Sequence, residues 1–196
     1  MRQTQPTARP RLNGEAGEGS RRPVCNPARR GERLGYVTDA DASMAGRALD
    51  IAAGAAAQWA QLPVGERADM LERAADRLET GFPELTAACV LEAGKTIANA
   101  IDDVREAIDF LRYYAATARS VFAEAAALPG PTGESNELRW RGRGVFVCIS
   151  PWHFPVAIFT GQVAAALVAG NRFLPAPPAQ ASPMAARMRG VWFPAR

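Results

Sequence analysis

The stretch from Gly142 to Asn171, GRGVFVCISPWHFPVAIFTGQVAAALVAGN, constrains the fold of this chain more than any other. Val145 to Ile149 is a short apolar run of β-branched and aromatic residues, with the length and composition of a buried strand. It stops at Ser150-Pro151-Trp152-His153-Phe154-Pro155, where two prolines force a loop. Pro155 suits the opening of a helix, because the N–H it lacks has no helical partner there. Val156 to Val168 is largely apolar, and Gly170 suits the left-handed position just past a helix end. Strand, loop, helix and a further strand make a βαβ unit, and ligands of such sheets sit at the carboxyl ends of the strands. The loop Ser150–Pro155 is therefore where chemistry is expected.

ISPWxFP followed by AIFTGQVAAALxAGN also carries a likeness. It resembles the nicotinamide-binding domain of the aldehyde dehydrogenase superfamily, and within it the pyrroline-5-carboxylate (L-glutamate γ-semialdehyde) dehydrogenase module of bifunctional proline utilization A. Asn26-Pro27-Ala28, Glu92-Ala93-Gly94-Lys95-Thr96, the segment AIDDVREAIDFLRYYA from Ala100 to Ala115, and LPGPTGESNELR ahead of the strand support it. The likeness runs from about Pro23 to Asn171 and fades beyond.

The resemblance implies an α/β fold: N-terminal helices packed on the first strands of a Rossmann-like parallel sheet, left incomplete. It implies a partial NAD-binding domain over 23–187; residues 1–22, rich in Arg, Pro, Gly and Glu with almost nothing to bury, read as a disordered leader, and 188–196, which match nothing expected after the helix, as a divergent tail. It implies NAD as cofactor and a small-molecule aldehyde as substrate, oxidised to glutamate in the second step of proline catabolism. In the family, the residues matching Ile149, Ser150, Pro151 and Trp152 lie against the nicotinamide end of the cofactor. His153 stands where the family has an Asn whose amide binds the oxyanion formed on thiolate attack. A neutral imidazole still donates one N–H, but its ring is larger and aims that donor differently. Losing an oxyanion donor raises the barrier by about 3 kcal/mol.

In the strand after the helix the family has a Lys and a Glu that contact ribose hydroxyls. Ala176 and Ala179 occupy those positions here. A hydrogen bond to a charged group contributes about 1.5–3 kcal/mol, so losing two lowers cofactor affinity at least tenfold. Pro175, Pro177 and Pro178 are also expected to remove donors from an interior strand. The family's attacking cysteine and general base lie downstream of this loop, and a family module is more than twice the length of these 196 residues. The chain accordingly reads as a fragment. The alternative to a working dehydrogenase is a non-catalytic remnant that at most forms a homo-oligomer or associates with an intact homologue.

Other chemistry finds less support. Cys25, Cys89 and Cys148 are odd in number and far apart, so neither a disulfide framework nor a metal site is expected. Cys148 precedes the loop by two residues but reads as a packed core thiol with no adjacent base. Gly142-x-Gly144 precedes its strand instead of following it, and Glu92–Thr96 lacks the upstream glycine of a phosphate loop. The net charge of +3 is spread over helix faces, and no basic stripe with interleaved aromatics points to nucleic acid. No apolar h-region opens the chain, and no run approaches the roughly 20 residues of a membrane span. Cytoplasmic localisation is the expectation.

Local patterns predict four helices before the loop. Asp41 caps one from about Ala42 to Gln61. A second, about Val64 to Thr80, buries Met70, Leu71, Ala74 and Leu78. A third covers about Glu84 to Ala93. The fourth, about Thr96 to Arg119, has its apolar stripe on Ile97, Ile101, Val104, Ile108, Leu111 and Ala115, with Asp102, Asp103, Arg105, Glu106, Asp109 and Arg112 off that stripe. Short strands are expected at Leu34–Val37 and Asn136–Trp140.

Overall fold

The structure, a computed structural model, describes residues 7–176. In chain order the elements are β1 (Thr7–Ala8), β2 (Arg11–Leu12), β3 (Glu15–Ala16), β4 (Arg21–Asn26), β5 (Arg29–Thr38), α1 (Ala42–Ala60), α2 (Val64–Thr80), α3 (Phe82–Ala93), α4 (Ile97–Val121), β6 (Ala126–Leu128), β7 (Asn136–Leu138), β8 (Val145–Ile149), α5 (Ala157–Val168) and β9 (Arg172–Ala176). The expected tail at 188–196, Ala179, Pro177 and Pro178 lie outside the described residues.

The expectation of a disordered leader over 1–22 is corrected from Thr7 onward. β1 pairs in parallel with β5, Thr7 opposite Tyr36 and Ala8 opposite Val37. Ala8 is buried with Val24 and Val37 in a small cluster of its own. Arg21 lies 3.7 Å over the Tyr36 ring, and Arg22 pairs with Asp39 at 2.9 Å. The segment has little to bury alone, but the long strand β5 supplies backbone partners and an aromatic face.

Four helices form the main core. Leu71 and Leu78 of α2, Leu85 of α3, Val104 and Leu111 of α4 and Val156 ahead of α5 meet in one cluster, with α4 packed against the other three helices. α1 begins at the expected cap, where the Asp41 carboxylate accepts the Met44 N–H at 2.7 Å. Two expected core positions are not core. Met70 is 38% exposed, because the buried face of α2 runs through Arg67, Ala68, Leu71, Ala74, Ala75 and Leu78. Ile97 is 68% exposed in the first turn of α4, whose buried stripe starts at Ala100.

β8 and β9 pair in parallel across α5, from Val145 opposite Arg172 to Ile149 opposite Ala176, and α1 packs beside both strands. This is the expected βαβ unit. Pro155 does not open the helix; the chain turns through Pro155 and Val156, and α5 starts at Ala157. Pro175 lies within β9 without interrupting it. Arg172 N donates to Gly144 O at 2.8 Å, and Ala176 O accepts from Ser150 N at 3.3 Å. Strand polarity alternates with period two, so Pro175 directs its missing N–H away from β8, to a side with no paired strand among the described residues. Proline is tolerated at such an edge.

Two glycines bring the unit together. Gly170 has φ +86°, as its place after the helix requires. A Cβ on Gly142 would lie 2.4 Å from Gly170 O, so the approach to β8 passes directly over that turn. Asn171, buried at the start of β9, accepts the Arg143 and Gly144 N–H groups on its side-chain oxygen. The expected strand at Asn136–Trp140 is β7, ending at Leu138 and paired antiparallel with β6, which has no sequence signal of its own.

Candidate functional site

The loop Ser150–Pro155 emerges at the carboxyl end of β8, where a βαβ unit places its ligands. Its first residues are fixed by α5. Gln162 donates from its side-chain amide to Ile149 O at 3.0 Å, and the Ser150 hydroxyl donates to Gln162 Oε1 at 3.5 Å. Ser150 is buried, whereas the Ile149 and Trp152 side chains are 68% and 55% exposed. These two present an apolar surface beside the strand end. Pro151 is half-buried between them in sequence. His153 is exposed, with its ring edge-to-face to Trp152 at 5.9 Å and to Phe154 at 5.8 Å.

Beneath the loop lies a group that local patterns do not single out. Asp103, off the apolar stripe of α4, is wholly buried. One carboxylate oxygen accepts the Ala157 N–H at 2.8 Å. The other accepts from Lys95 Nζ at 3.1 Å, and the Cys89 thiol donates to it at 3.8 Å. Lys95 also donates to His153 O at 3.0 Å and sits 3.7 Å over the Phe154 ring. The EAGKT segment is thus the expected connector between helices and also the cation beneath the loop. Gly94, Lys95 and Asn99 line an open cleft with Trp152, His153 and Phe154. The one available signal is the spacing of Ala100, Ala107 and Ala118, which marks a second small-residue face of α4 with Asp103 on it.

At its other end α5 is closed by a second buried cation. Arg67 donates to Val168 O at 2.9 Å and to the carbonyls of Ala60 and Leu62. Burial lowers its pKa. Trp59 adds an indole N–H to Leu167 O at 2.9 Å. These bonds satisfy carbonyls that a helix end leaves open.

The two buried thiols, Cys89 and Cys148, are poorly suited to attack. Cys148 is buried with Phe159 and Val163 between β8 and α5, and burial raises its pKa. Cys89 is pushed up to about 12, first by burial and then by the neighbouring Asp103 carboxylate. Cys25, on β4 in the N-terminal sheet, is exposed. Among the described residues no group of three or more His, Cys, Asp or Glu could hold a metal ion, and no helix is long and apolar enough to cross a membrane.

This βαβ unit with its proline-flanked loop is that of an aldehyde dehydrogenase, and residues 15–194 match the aldehyde dehydrogenase family model. The chain belongs to that family. It is 46% identical over 179 residues to the bifunctional protein PutA of Klebsiella aerogenes, covering 91% of this chain and 13% of that protein. It is 38% identical over 176 residues to the 1-pyrroline-5-carboxylate dehydrogenase of Bacillus subtilis (strain 168), covering 89% of this chain and 34% of the relative. Among solved structures, proline utilization A from Bdellovibrio bacteriovorus superposes with a TM-score of 0.91 at 32% identity, over 96% of this chain and 20% of that one. A 1-pyrroline-5-carboxylate dehydrogenase from Thermus with bound NAD gives 0.87 at 33% identity, over 95% and 36%. The chain thus spans about an eighth of its PutA relatives and about a third of the separate dehydrogenases.

The local residues can be tested against a nicotinamide dinucleotide. Ile149 and Trp152 offer the exposed apolar surface that a nicotinamide ring could lie on. The strand register sets Ala176 directly beside Ile149, and its methyl group offers a ribose hydroxyl neither donor nor acceptor. Beside the apolar surface of Ile149 and Trp152, Ala176 thus supplies no hydrogen-bonding side-chain atom.

Proposed function

We propose that these residues form the cofactor-facing part of a module of the kind that oxidises L-glutamate γ-semialdehyde to glutamate with NAD as hydride acceptor. In this reading Ile149, Ser150, Pro151 and Trp152 shape the nicotinamide side, and exposed His153 stands near the aldehyde oxygen as an N–H donor. The 196 residues acting alone are a non-catalytic segment, which at most assembles with itself or with a homologue. The observation that carries this reading is the state of Cys148, the cysteine nearest the loop: it is buried and its pKa is raised by that burial. A thiolate is the attacking form, so this segment supplies none at the loop. The pairing of Ile149 with Ala176 supports the further point that cofactor is held weakly.

Titration with NADH, read by fluorescence, tests the cofactor half. Wild-type protein is expected to bind weakly, and Ala176→Lys to bind at least about tenfold tighter, the effect of one hydrogen bond to a charged group. Equal affinities would sink the placement of the ribose beside Ala176. Micromolar or tighter binding by the unaltered chain would contradict the weak site.

A further inference from the structure

The chain contains a single lysine; its other basic side chains, His153 aside, are arginines. The side chain of that lysine, Lys95, is 8% exposed and is paired with the wholly buried side chain of Asp103. A pair that served only to hold the helices together would close on itself. This one does not. Lys95 donates to His153 O at 3.0 Å and covers the Phe154 ring at 3.7 Å, while Asp103 holds the Ala157 N–H at 2.8 Å. Three residues within the five from His153 to Ala157 are thereby anchored to one ion pair. The loop has little means of holding itself, because Pro151 and Pro155 contribute no N–H. The compact ammonium of Lys95, with three rotatable donors, meets a carboxylate, a carbonyl and a ring face together.

We propose that Lys95 and Asp103 are positioning residues: the pair fixes the Ser150–Pro155 loop relative to α5, and with it the surface that Trp152 and Ile149 present. What that surface serves rests on the function proposed above; the tether itself does not. The structure gives the order of the links. Asp103 on α4 orients Lys95, Lys95 holds the His153 carbonyl, and the loop between the two prolines takes one shape.

The test is the double variant K95M/D103N, measured by ¹⁵N relaxation without cofactor. The amide that replaces the Asp103 carboxylate keeps an oxygen for the Ala157 N–H, neither member of the pair leaves an unpaired partner charge, and the contacts of Lys95 with His153 O and the Phe154 ring are lost. Order parameters at Trp152, His153 and Phe154 are expected to fall from about 0.85 to below about 0.6, while α2 and α4 stay near 0.85. Unchanged values at those three amides would overturn the proposal, and so would an equal fall throughout α2 and α4. A second measurement uses the wild-type protein. Amine acylation followed by mass spectrometry should modify Lys95 at least about tenfold more slowly in the native chain than in urea, as an intact charged hydrogen bond requires. Equal rates would overturn the tether. Neither measurement involves NAD, so a failure of the cofactor reading would leave both results standing.

Discussion

Asp103 and Ala157 lie 54 residues apart, and the carboxylate of the first accepts the backbone N–H of the second at 2.8 Å. Val156, at the N-cap position of α5, makes no side-chain capping bond. The cap comes instead from another helix, and it is a negative charge placed where a helix dipole favours one. Replacing Asp103 with Ala removes that cap and leaves Lys95 buried without its counter-charge. Breaking a buried pair in this way costs about 3–5 kcal/mol. Urea unfolding should show a loss of that size; a loss near zero would mean that the carboxylate is dispensable.

Arg67 and Arg119 provide a contrast between buried and exposed cations. Arg119 reaches Glu72 and Asp69 on α2 from the last turn of α4, with 36% of its side chain exposed. Exposed pairs contribute about 1 kcal/mol or less and are screened by salt. Arg119→Ala should therefore cost little, and less still in about 1 M salt, where the screening length falls to about 3 Å. Arg67 is 5% exposed and donates to the carbonyls of Val168, Ala60 and Leu62. Arg67→Met leaves those carbonyls unsatisfied, and the expected loss is about 2–3 kcal/mol with little salt dependence. Denaturant midpoints at low and high salt check both.

Cys89 makes stability depend on alkaline pH. Its pKa rises from an ordinary value of 9.0 to about 12 on folding. Between those values the unfolded chain has released the proton and the folded chain still binds it, so unfolding is favoured as pH rises. The contribution is complete below the ordinary value of 9.0 and is lost progressively towards about 12. Cys89→Ala should flatten the fall in unfolding free energy across that window relative to wild type. An unchanged slope would mean that the thiol titrates normally in the folded state.

Gly142 is required by contact. An added Cβ would lie 2.4 Å from Gly170 O and 2.7 Å from its carbonyl carbon, both backbone atoms. Gly142→Ala must shift the entry to β8, at a cost of about 1–3 kcal/mol by analogy with overpacking. Gly54, with open space around its Cβ position in the middle of α1, is the control. Gly54→Ala should stabilise, since alanine is favoured over glycine in helices by about 1 kcal/mol. Thermal unfolding of both variants gives the comparison.

Local chemistry makes much of this fold legible. The pattern from Val64 to Thr80 predicts a helix, and α2 spans those residues. Asp41 caps α1 as expected, and the strand, loop and helix order around Ser150–Pro155 follows from two prolines and two apolar runs. What escapes depends on partners distant in sequence. Asp103 reads as part of a solvated face because helical periodicity reports the apolar stripe, and a buried carboxylate shows only through Lys95 and Ala157. β1 forms because β5 lies alongside it, which the composition of the first residues does not reveal. Met70 illustrates the converse, an apolar residue one position away from the face that the neighbouring helices cover.

The proposed function requires that no cysteine of this chain acts as the attacking thiolate of an aldehyde dehydrogenase. Incubating the full 196-residue chain with NAD and L-glutamate γ-semialdehyde, then measuring its intact mass and the absorbance of NADH, tests it directly. The expected result is an unmodified mass and no NADH above a heat-killed control. An acyl adduct on Cys25, Cys89 or Cys148 with NADH formed in proportion, or a thiohemiacetal adduct formed without NADH, would contradict it.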